Sequence, residues 1–428
     1  MEDFDKYRVN GRINIDKAME EKSIRYDEAE QRGARENKFW FNKYSYMYKD
    51  VYEKTYEDYA ELIAYEIAKL LGIKCAQYDL AIYNGNRGVI TKSVVDESID
   101  EEMKSGTEII NSVFSEYLQP LFLLKNAYVQ KKEEYHIYEL EDFFDLSVEN
   151  QRNLAADLIE MLQYVPFSSD HLNVQVNGLN DQELLKFLSS LLESLDDICE
   201  MYNEDFNKMK GGIIHCNNLY DLWSVIDIYC RLNKYPLSSV MPIMQDFTKM
   251  FVFDIITSQG DRHADNWSLI IDHKNHTIRL AALYDNSAIC ALNREKAIQN
   301  INEHVYRLKN ENLSDRTENR LLDLINSTIN KSFSGLKVDY EDVIERNKNP
   351  LMIQKYVQHS SNEFIEMLEN ACSILTPEKI EKIFTVVENN TKIPIPPEVK
   401  VMVVTVLENN VELIKNALGG VQNDVKRI

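Results

Sequence analysis

Two side chains suited to phosphoryl transfer lie close together in one short polar stretch. Residues 260–266 read Gly-Asp-Arg-His-Ala-Asp-Asn, with Asp261 near the start and Asn266 at the end. A carboxylate can accept the proton of a hydroxyl nucleophile, and an amide oxygen can bind a divalent cation. A second carboxylate, Asp285, follows 19 residues after Asn266. Together the three side chains could activate a hydroxyl group and hold the metal that accompanies a nucleoside triphosphate.

The spacing of the first two residues is the strongest part of this pattern. Asp261 and Asn266 repeat the Asp-x4-Asn interval of the protein-kinase catalytic loop, in which the Asp takes the hydroxyl proton and the Asn holds metal. Asp and Asn also cap turns frequently, so either residue alone would indicate only a turn. The paired interval and the later Asp285 favour a phosphotransferase site.

Apolar patterns on both sides of this stretch predict the elements that position it. A helix is predicted before it and a β-hairpin after it, at residues 251–256 for the helix and 267–272 and 277–284 for the two strands. Asp261 and Asn266 then lie at the mouth of the hairpin, and its return strand brings Asp285 beside them.

Length, composition and charge indicate a globular protein of more than one domain. A chain of 428 residues usually divides into two or three domains, and its hydrophobic fraction of 44% is typical of globular proteins. The charged start, Met1-Glu-Asp-Phe-Asp-Lys, lacks an apolar secretory segment, so a cytoplasmic enzyme is expected. A net charge of -22 argues against direct binding of nucleic acid over a broad surface. The six cysteines form no CxxC pair and are interpreted as reduced thiols.

The amino-terminal region contains candidates for the lysine that neutralises phosphate and for the glutamate that holds it. Two aromatic runs, 38–41 and 46–49, predict a hairpin whose second strand ends at Lys49. Residues 59–71 carry apolar side chains at helical spacing, with Gly72 as a stop. Glu61 and Glu66 on this helix are both candidate partners of Lys49, and Glu61 is preferred because it lies nearer the helix start.

A second hairpin and a candidate phosphate-covering loop complete this region. Strands are predicted at 77–83 and 88–94, joined through Asn84-Gly85. No GxGxxG motif is present among the 13 glycines, and Gly33 is the best-placed glycine for a loop over the triphosphate. An ordinary turn before the first aromatic strand explains Gly33 equally well.

The rest of the chain is predicted to be mainly helical. Leucines recur at helical spacing from Leu184 to Leu195, and a cap at Thr376 followed by Pro377 predicts another helix. A last helix is predicted after Pro397 and is expected to end at Gly419-Gly420.

These motifs, in this order, resemble those of the HipA-like kinases, bacterial relatives of the protein-kinase fold. The resemblance covers residues 33–286 and rests on Gly33-Ala-Arg35-Glu-Asn-Lys38-Phe-Trp, Tyr46-Met-Tyr-Lys49, Glu61 to Gly72, Phe253-Asp254, Asp261 to Asn266 and Tyr284-Asp-Asn286. Two departures are one additional residue between Gly33 and Lys38, and the lack of a proline in Ala281-Ala282-Leu283, before Tyr284-Asp285.

The resemblance implies an α+β, two-lobed, protein-kinase-like fold that binds ATP and Mg²⁺ between its lobes. A small sheet-bearing lobe would span residues 1–105, and a larger helical lobe would span residues 106–428. The implied roles are as follows: phosphate contact for Lys49, positioning of that lysine for Glu61, catalytic base for Asp261, metal ligands for Asn266 and Asp285, and bracing of the loop for Arg262 and His263. Phosphoinositide kinases share a Gly-Asp-Arg-His-x-x-Asn loop, so His263 is a second candidate base.

The implied reaction is transfer of the γ-phosphate of ATP to a Ser or Thr hydroxyl, on a protein or on the enzyme itself. An antitoxin or adaptor protein is a further partner that the resemblance allows. A phosphoinositide-type lipid kinase is the rival enzyme, disfavoured by Tyr284-Asp285-Asn286 in place of Asp-Phe-Gly and by the acidic charge. A nucleotide-binding pseudokinase that acts as an interaction module is the rival from another class.

Overall fold

The structure is a computed structural model that describes residues 2–22, 26–27, 38–41, 45–95, 100–162, 176–210, 219–312, 314–317 and 362–425. Gly33 lies outside these ranges. The described residues before 106 and after 240 form one compact unit, and most of those between them form a second. The expected α+β class, with a small sheet region and a larger helical part, is confirmed. The expected lobe boundary at residue 105 stays a prediction.

The strands belong to two sheets, both in the first unit. Ten strands are described: β1 Arg8–Val9, β2 Arg12–Asn14, β3 Tyr26–Asp27, β4 Lys38–Phe41, β5 Tyr46–Asp50, β6 Tyr78–Tyr83, β7 Asn86–Lys92, β8 Glu101–Ser105, β9 Ser268–Asp272 and β10 Thr277–Leu280. The larger sheet has the order β1-β2-β6-β7-β5-β4-β3, and the smaller has the order β10-β9-β8. Neighbouring strands are antiparallel except β2 and β6, which are parallel.

The α-helices in the described ranges are α1 Ile15–Lys22, α2 Glu57–Leu70, α3 Gly106–Val113, α4 Gln119–Glu134, α5 Val148–Leu162, α6 Asp181–Lys210, α7 Leu219–Leu232, α8 Val240–Thr257, α9 Glu295–Asn310, α10 Asn362–Ile374, α11 Pro377–Thr391 and α12 Pro397–Val425. A π-helical turn at Phe114–Leu118 joins α3 to α4. None of the helices in these ranges has the length and apolar character needed to span a lipid bilayer.

The aromatic hairpin forms as predicted, and its alternation explains why a lysine is buried. Tyr46 and Tyr48 of β5 pack with Phe39, Phe41 and Phe4 in one cluster on one face of the sheet. Successive side chains of a strand point to opposite faces, so Lys49 lies on the face opposite Tyr48. Because β5 runs between β4 and β7, the backbone at Lys49 is covered on both sides, opposite Lys38 and Val89.

Helix α2 and the β6–β7 hairpin also agree with the sequence prediction. Gly72 has φ +69° directly after the helix end, which is the left-handed conformation that glycine adopts at low cost. Asn84 and Gly85 both have positive φ, as a tight two-residue hairpin turn requires.

Three predicted elements have other bounds in the structure. Strand β7 runs from Asn86 to Lys92, whereas the sequence predicted a strand from Gly88 to Val94. The return strand of the second hairpin ends at Leu280 rather than reaching Tyr284, so Asp285 is carried by the segment after the strand. Helix α12 continues to Val425 instead of ending at Gly419-Gly420. A glycine inside a helix costs only about 1 kcal/mol, which tertiary packing readily offsets.

Gly88→Ala is expected to lower the free energy of unfolding by about 1–3 kcal/mol. There is no room for the added methyl group, so the neighbouring backbone would have to move. A Cβ atom at Gly88 would lie 2.5 Å from the carbonyl oxygen of Lys49 and 2.5 Å from the hydroxyl of Tyr48. Urea denaturation measures the change. The control is Gly419→Ala, where no neighbouring atom lies within 4 Å and a gain of about 0.5–1 kcal/mol is expected from helix propensity. Equal effects in the two variants would contradict the assigned close approach of β7 to β5.

Candidate active site

Lys49 is buried beside two carboxylates that come from distant parts of the chain. Its exposed fraction is 4%. The ammonium group contacts Asp285 directly and lies 3.9 Å from the nearer carboxylate oxygen of Glu61. Lysine and aspartate are separated by 236 positions in the sequence, so only the tertiary fold brings them together.

Glu61, rather than Glu66, is the helix glutamate that approaches Lys49. Glu61 is 1% exposed, and its Oε2 atom accepts a hydrogen bond from the backbone N–H of Asn286 at 2.9 Å. Glu66 instead lies 4.0 Å from Lys69 of the same helix. Burial raises the pKa of Glu61 to about 7, and the nearby Lys49 ammonium opposes this shift.

Asp285 has an uncommon backbone conformation that several neighbours hold in place. Its φ is +52°, in the left-handed region that Asp tolerates better than most residues. Its N–H donates to the hydroxyl of Tyr78 at 3.3 Å, and its carbonyl accepts from the side chain of Gln259 at 3.1 Å. The Asp285 side chain remains 26% exposed, so the carboxylate is both fixed and accessible.

Arg262 joins the loop of residues 260–266 to the segment that carries Asp285. Its guanidinium donates to both carboxylate oxygens of buried Asp254, at 3.0 and 2.9 Å. It also donates to the carbonyls of Asn266 and Tyr284 at 2.9 and 3.0 Å, and to the side-chain oxygen of Asn286 at 2.8 Å. These bonds use all five N–H donors that an arginine has.

Asp261 and Asn266 lie at the two ends of the loop that Arg262 braces. The side-chain amide of Asn266 donates to the backbone carbonyl of Asp261, which fixes the amide and leaves its oxygen as the acceptor. The Asp261 carboxylate is 59% exposed and is therefore accessible to a substrate. Partial burial raises the pKa of Asp261; the Asp285 carboxylate adds to this effect, and His263, Lys49 and Arg262 oppose it.

His263 begins the short 3-10 turn Ala264–Asn266 and is held by it. Its Nδ1 atom accepts a hydrogen bond from the backbone N–H of Asp265 at 3.2 Å. The neutral ring then carries its proton on Nε2, which lies 3.9 Å from Asp261. Because its lone pair is already used, His263 is poorly placed to take a substrate proton, and this geometry favours Asp261 as the base.

Leu283, directly before Tyr284, makes two backbone hydrogen bonds. Its N–H donates to the carbonyl of Lys74 at 2.9 Å, and its carbonyl accepts from the N–H of Ala76 at 2.7 Å. A proline has no N–H and could make only the second bond. Leu283 therefore anchors the segment that carries Asp285 to the chain between α2 and β6.

The acidic and amide oxygens of this site fit a magnesium ion. The site has two cationic groups, Lys49 and Arg262. It has four carboxylates, which are those of Glu61, Asp254, Asp261 and Asp285. No cluster of three or more His, Cys, Asp or Glu side chains in the described ranges has the arrangement of a metal site. A site built from Asp285 and the amide oxygen of Asn266 would suit Mg²⁺, which takes few protein ligands and completes its shell with water and phosphate.

Sequence reasoning did not identify Tyr78 and Gln259, and it gave no role to Asp254 or Asn286 beyond membership of the motifs. Tyr78 could have been suspected, because a Tyr hydroxyl on a buried strand needs a hydrogen-bond partner. The position of Gln259 in the sequence carries no such signal, since its bond to Asp285 depends on the tertiary fold alone.

Arg262→Lys is expected to destabilise the first unit by about 3–5 kcal/mol, because lysine keeps the charge but has three donors for five acceptors, and each buried acceptor left without a partner costs about 1–3 kcal/mol. Thermal or urea unfolding measures the loss. Arg231→Lys is the matched control, since Arg231 forms an exposed pair with Asp227 on α7 and should change stability by less than about 0.5 kcal/mol. Similar losses in both variants would show that the Arg262 network does not stabilise the fold.

Glu61→Gln is expected to change how stability depends on pH. In the native protein Glu61 retains its proton up to about pH 7, whereas in the unfolded chain it ionises near 4.5. The native state thus binds more protons between these values, so wild-type stability falls as pH rises, by about 3 kcal/mol from this group. Glutamine removes this loss, and the urea midpoint of the variant should rise relative to wild type from pH 4.5 to 7. The control is Glu53→Gln, at an exposed position, whose stability should follow pH in parallel with wild type. A profile of Glu61→Gln parallel to that of wild type would contradict the assigned protonation of Glu61.

Comparison with known proteins gives structural likenesses and no sequence match. No model of a known protein family matches the chain, and no curated protein matches it. The proinflammatory kinase CtkA of Helicobacter pylori is 14% identical, with a TM-score of 0.46 over 92% of this chain and 96% of that one. The HipA protein of Shewanella oneidensis MR-1, from a toxin–antitoxin complex with HipB and operator DNA, is 11% identical, with a TM-score of 0.28. That match covers 88% of this chain and 60% of HipA. Likenesses at these identities and TM-scores assign no activity.

Proposed function

We propose that this chain is an ATP-dependent phosphotransferase of the HipA-like kinase type. The reaction is transfer of the γ-phosphate of Mg-ATP to a Ser or Thr hydroxyl on a protein, including the enzyme itself. One observation carries the proposal: buried Lys49 meets Glu61 and Asp285, and Arg262 ties the Asp285 segment to the loop of Asp261 and Asn266.

Lys49 and Glu61 provide the phosphate-binding part of the site. An ammonium group held by a buried carboxylate is positioned to neutralise phosphate oxygens without a large loss of side-chain entropy on binding. Glu61 is itself held by the N–H of Asn286, next to Asp285 in the chain. The lysine and the metal-binding carboxylate are thereby positioned relative to one another.

Asn266 and Asp285 would hold Mg²⁺, which when bound neutralises charge on the triphosphate that supplies the phosphoryl group. Asp285 presents a partly exposed carboxylate on a backbone fixed by Tyr78 and Gln259. Asn266 presents its amide oxygen because its amide nitrogen is used by Asp261.

Asp261 would accept the proton of the substrate hydroxyl. Its carboxylate is exposed, and its raised pKa makes it a stronger base than an isolated aspartate. His263 would brace the loop through the hydrogen bond that its Nδ1 atom accepts from Asp265. Catalysis of this kind depends on positioning and electrostatics, so this small set of residues is sufficient.

A protein substrate is favoured over a phosphoinositide because of charge. The chain carries a net charge of -22, and anionic membrane surfaces repel acidic proteins. An antitoxin or adaptor protein as partner and a cytoplasmic location remain part of the proposal, on the strength of the motifs that resemble HipA-like kinases.

The activity predicts a ranking of variants. Lys49→Met, Asp261→Asn and Asp285→Asn should each lower γ-phosphate transfer by about 100-fold or more, because each removes a group that acts on the transition state. Lys92→Met changes an exposed lysine of the same sheet and should keep activity near wild type. Transfer from labelled ATP to the chain itself, to generic protein and to phosphoinositide vesicles measures the effect.

The same assay separates the alternatives. Transfer to lipid alone would replace the protein substrate by a phosphoinositide. Binding of ATP with no transfer to any acceptor would favour the nucleotide-binding interaction module. Equal activity of Lys49→Met and Lys92→Met would remove the assigned role of Lys49.

A further inference from the structure

The end of helix α8, which leads into the catalytic loop, is held by a side chain from the last helix. Asn410 of α12 is fully buried. Its amide nitrogen lies within hydrogen-bond distance of three acceptors: the carbonyl of Ile256 at 2.9 Å, the carbonyl of Ile255 at 3.3 Å and the hydroxyl of Ser258 at 2.8 Å. The last carbonyls of a helix lack partners within the helix, so this amide supplies what they need.

The chain changes direction at the point that Asn410 contacts. Ser258 has φ +52°, a left-handed conformation that is costly for a residue with a side chain. The next N–H, that of Gln259, donates back to the carbonyl of Asp254 at 2.9 Å and closes the turn. Asp261 follows three residues after Ser258, so the conformation of this turn sets the direction in which the catalytic loop starts.

Two separate contacts therefore fix the catalytic loop. Arg262 braces its middle from Asp254. Asn410 fixes its entry from a position 152 to 155 residues later in the sequence. Asn410 is not among the residues proposed to bind phosphate, metal or substrate. Any effect of Asn410 on the reaction must therefore act through residues 255–258, which it contacts.

We propose that Asn410 is a positioning residue for the phosphotransferase reaction, which holds the turn before the catalytic loop so that Asp261 and Asn266 face the substrate correctly. This inference rests on the proposed function. Small displacements of reacting groups are costly, because a shift of about 1 Å can reduce the rate about 100-fold. Lys49 and Glu61 lie on other elements, so nucleotide contacts should be affected less than the chemical step.

The test compares Asn410→Leu with Asn409→Leu. Asn409 is the next residue on the same helix, and its amide nitrogen donates to no atom in the described part of the chain. Asn410→Leu should lower kcat by about 10- to 100-fold while the KM for ATP changes by less than about threefold. Asn409→Leu should leave both constants close to wild type. A kcat for Asn410→Leu equal to that of Asn409→Leu would overturn the proposal.

Hydrogen exchange provides a second measurement that needs no activity. In the absence of ATP, backbone amides of residues 258–266 should exchange faster in Asn410→Leu and unchanged in Asn409→Leu. If the wild type transfers no phosphate but exchange rises in this way, the proposed function fails and the positioning role stands. If the wild type is active but neither exchange nor kcat changes, the positioning role fails alone.

Ser258→Ala gives a milder variant for the case in which Asn410→Leu does not fold. It removes one of the three acceptors and keeps both helix carbonyls. A smaller decrease in kcat, about two- to tenfold, and locally faster exchange are expected. Unchanged values of both in folded Ser258→Ala would overturn the proposal in that case.

Discussion

The buried pair of Arg262 and Asp254 is the interaction on which the candidate site depends. A guanidinium in a protein interior is stable only if its charge is paired and its donors are satisfied. Here the charge is paired by Asp254, and the remaining donors reach Asn266, Tyr284 and Asn286. Because Arg262 needs all of these partners, its hydrogen bonds fix the distance between the loop and the segment that carries Asp285. A lysine, with a point charge and three donors, could not make the same planar set of bonds.

The surplus of negative charge around Lys49 is the second constraint. One ammonium faces both Glu61 and Asp285, so it cannot neutralise both fully. Burial raises the pKa of Glu61 to about 7, and the Asp285 carboxylate adds to this shift, so that part of the charge is removed by a proton near neutral pH. A bound divalent cation near Asp285 would relieve the same surplus. The charge arrangement that lowers the stability of the fold is therefore the one that favours a cation.

The sequence predicted those features that depend on local pattern. Alternating aromatic residues predicted β4 and β5, and Asn84-Gly85 predicted the β6–β7 turn. The preference for Glu61 over Glu66 was also available from the sequence, since Glu61 lies nearer the helix start. Five residues on a helix rotate a side chain by about 140°, so the two cannot face the same lysine. The strand before Asp285 was predicted too long, because Ala281-Ala282-Leu283 continues the apolar run. In the structure, Leu283 instead makes backbone hydrogen bonds with Lys74 and Ala76.

The Arg262 network could not be predicted, because its five acceptors come from three separated segments and no periodicity marks them.

Supports from the carboxyl-terminal helices explain why motif spacing alone does not define the site. The hydroxyl of Tyr56, at the start of α2, donates to Glu398 at the start of α12, and α11 packs against α2. Helix α2 carries Glu61, so the glutamate that faces Lys49 is held partly by residues more than 300 positions away. The same α12 reaches the end of α8 through Asn410. Residues beyond the motif region therefore contact both the helix that carries the glutamate and the helix that leads to the loop of residues 260–266. A chain that kept every motif residue but lost these helices would keep the chemical groups and lose the geometry that lets them act together.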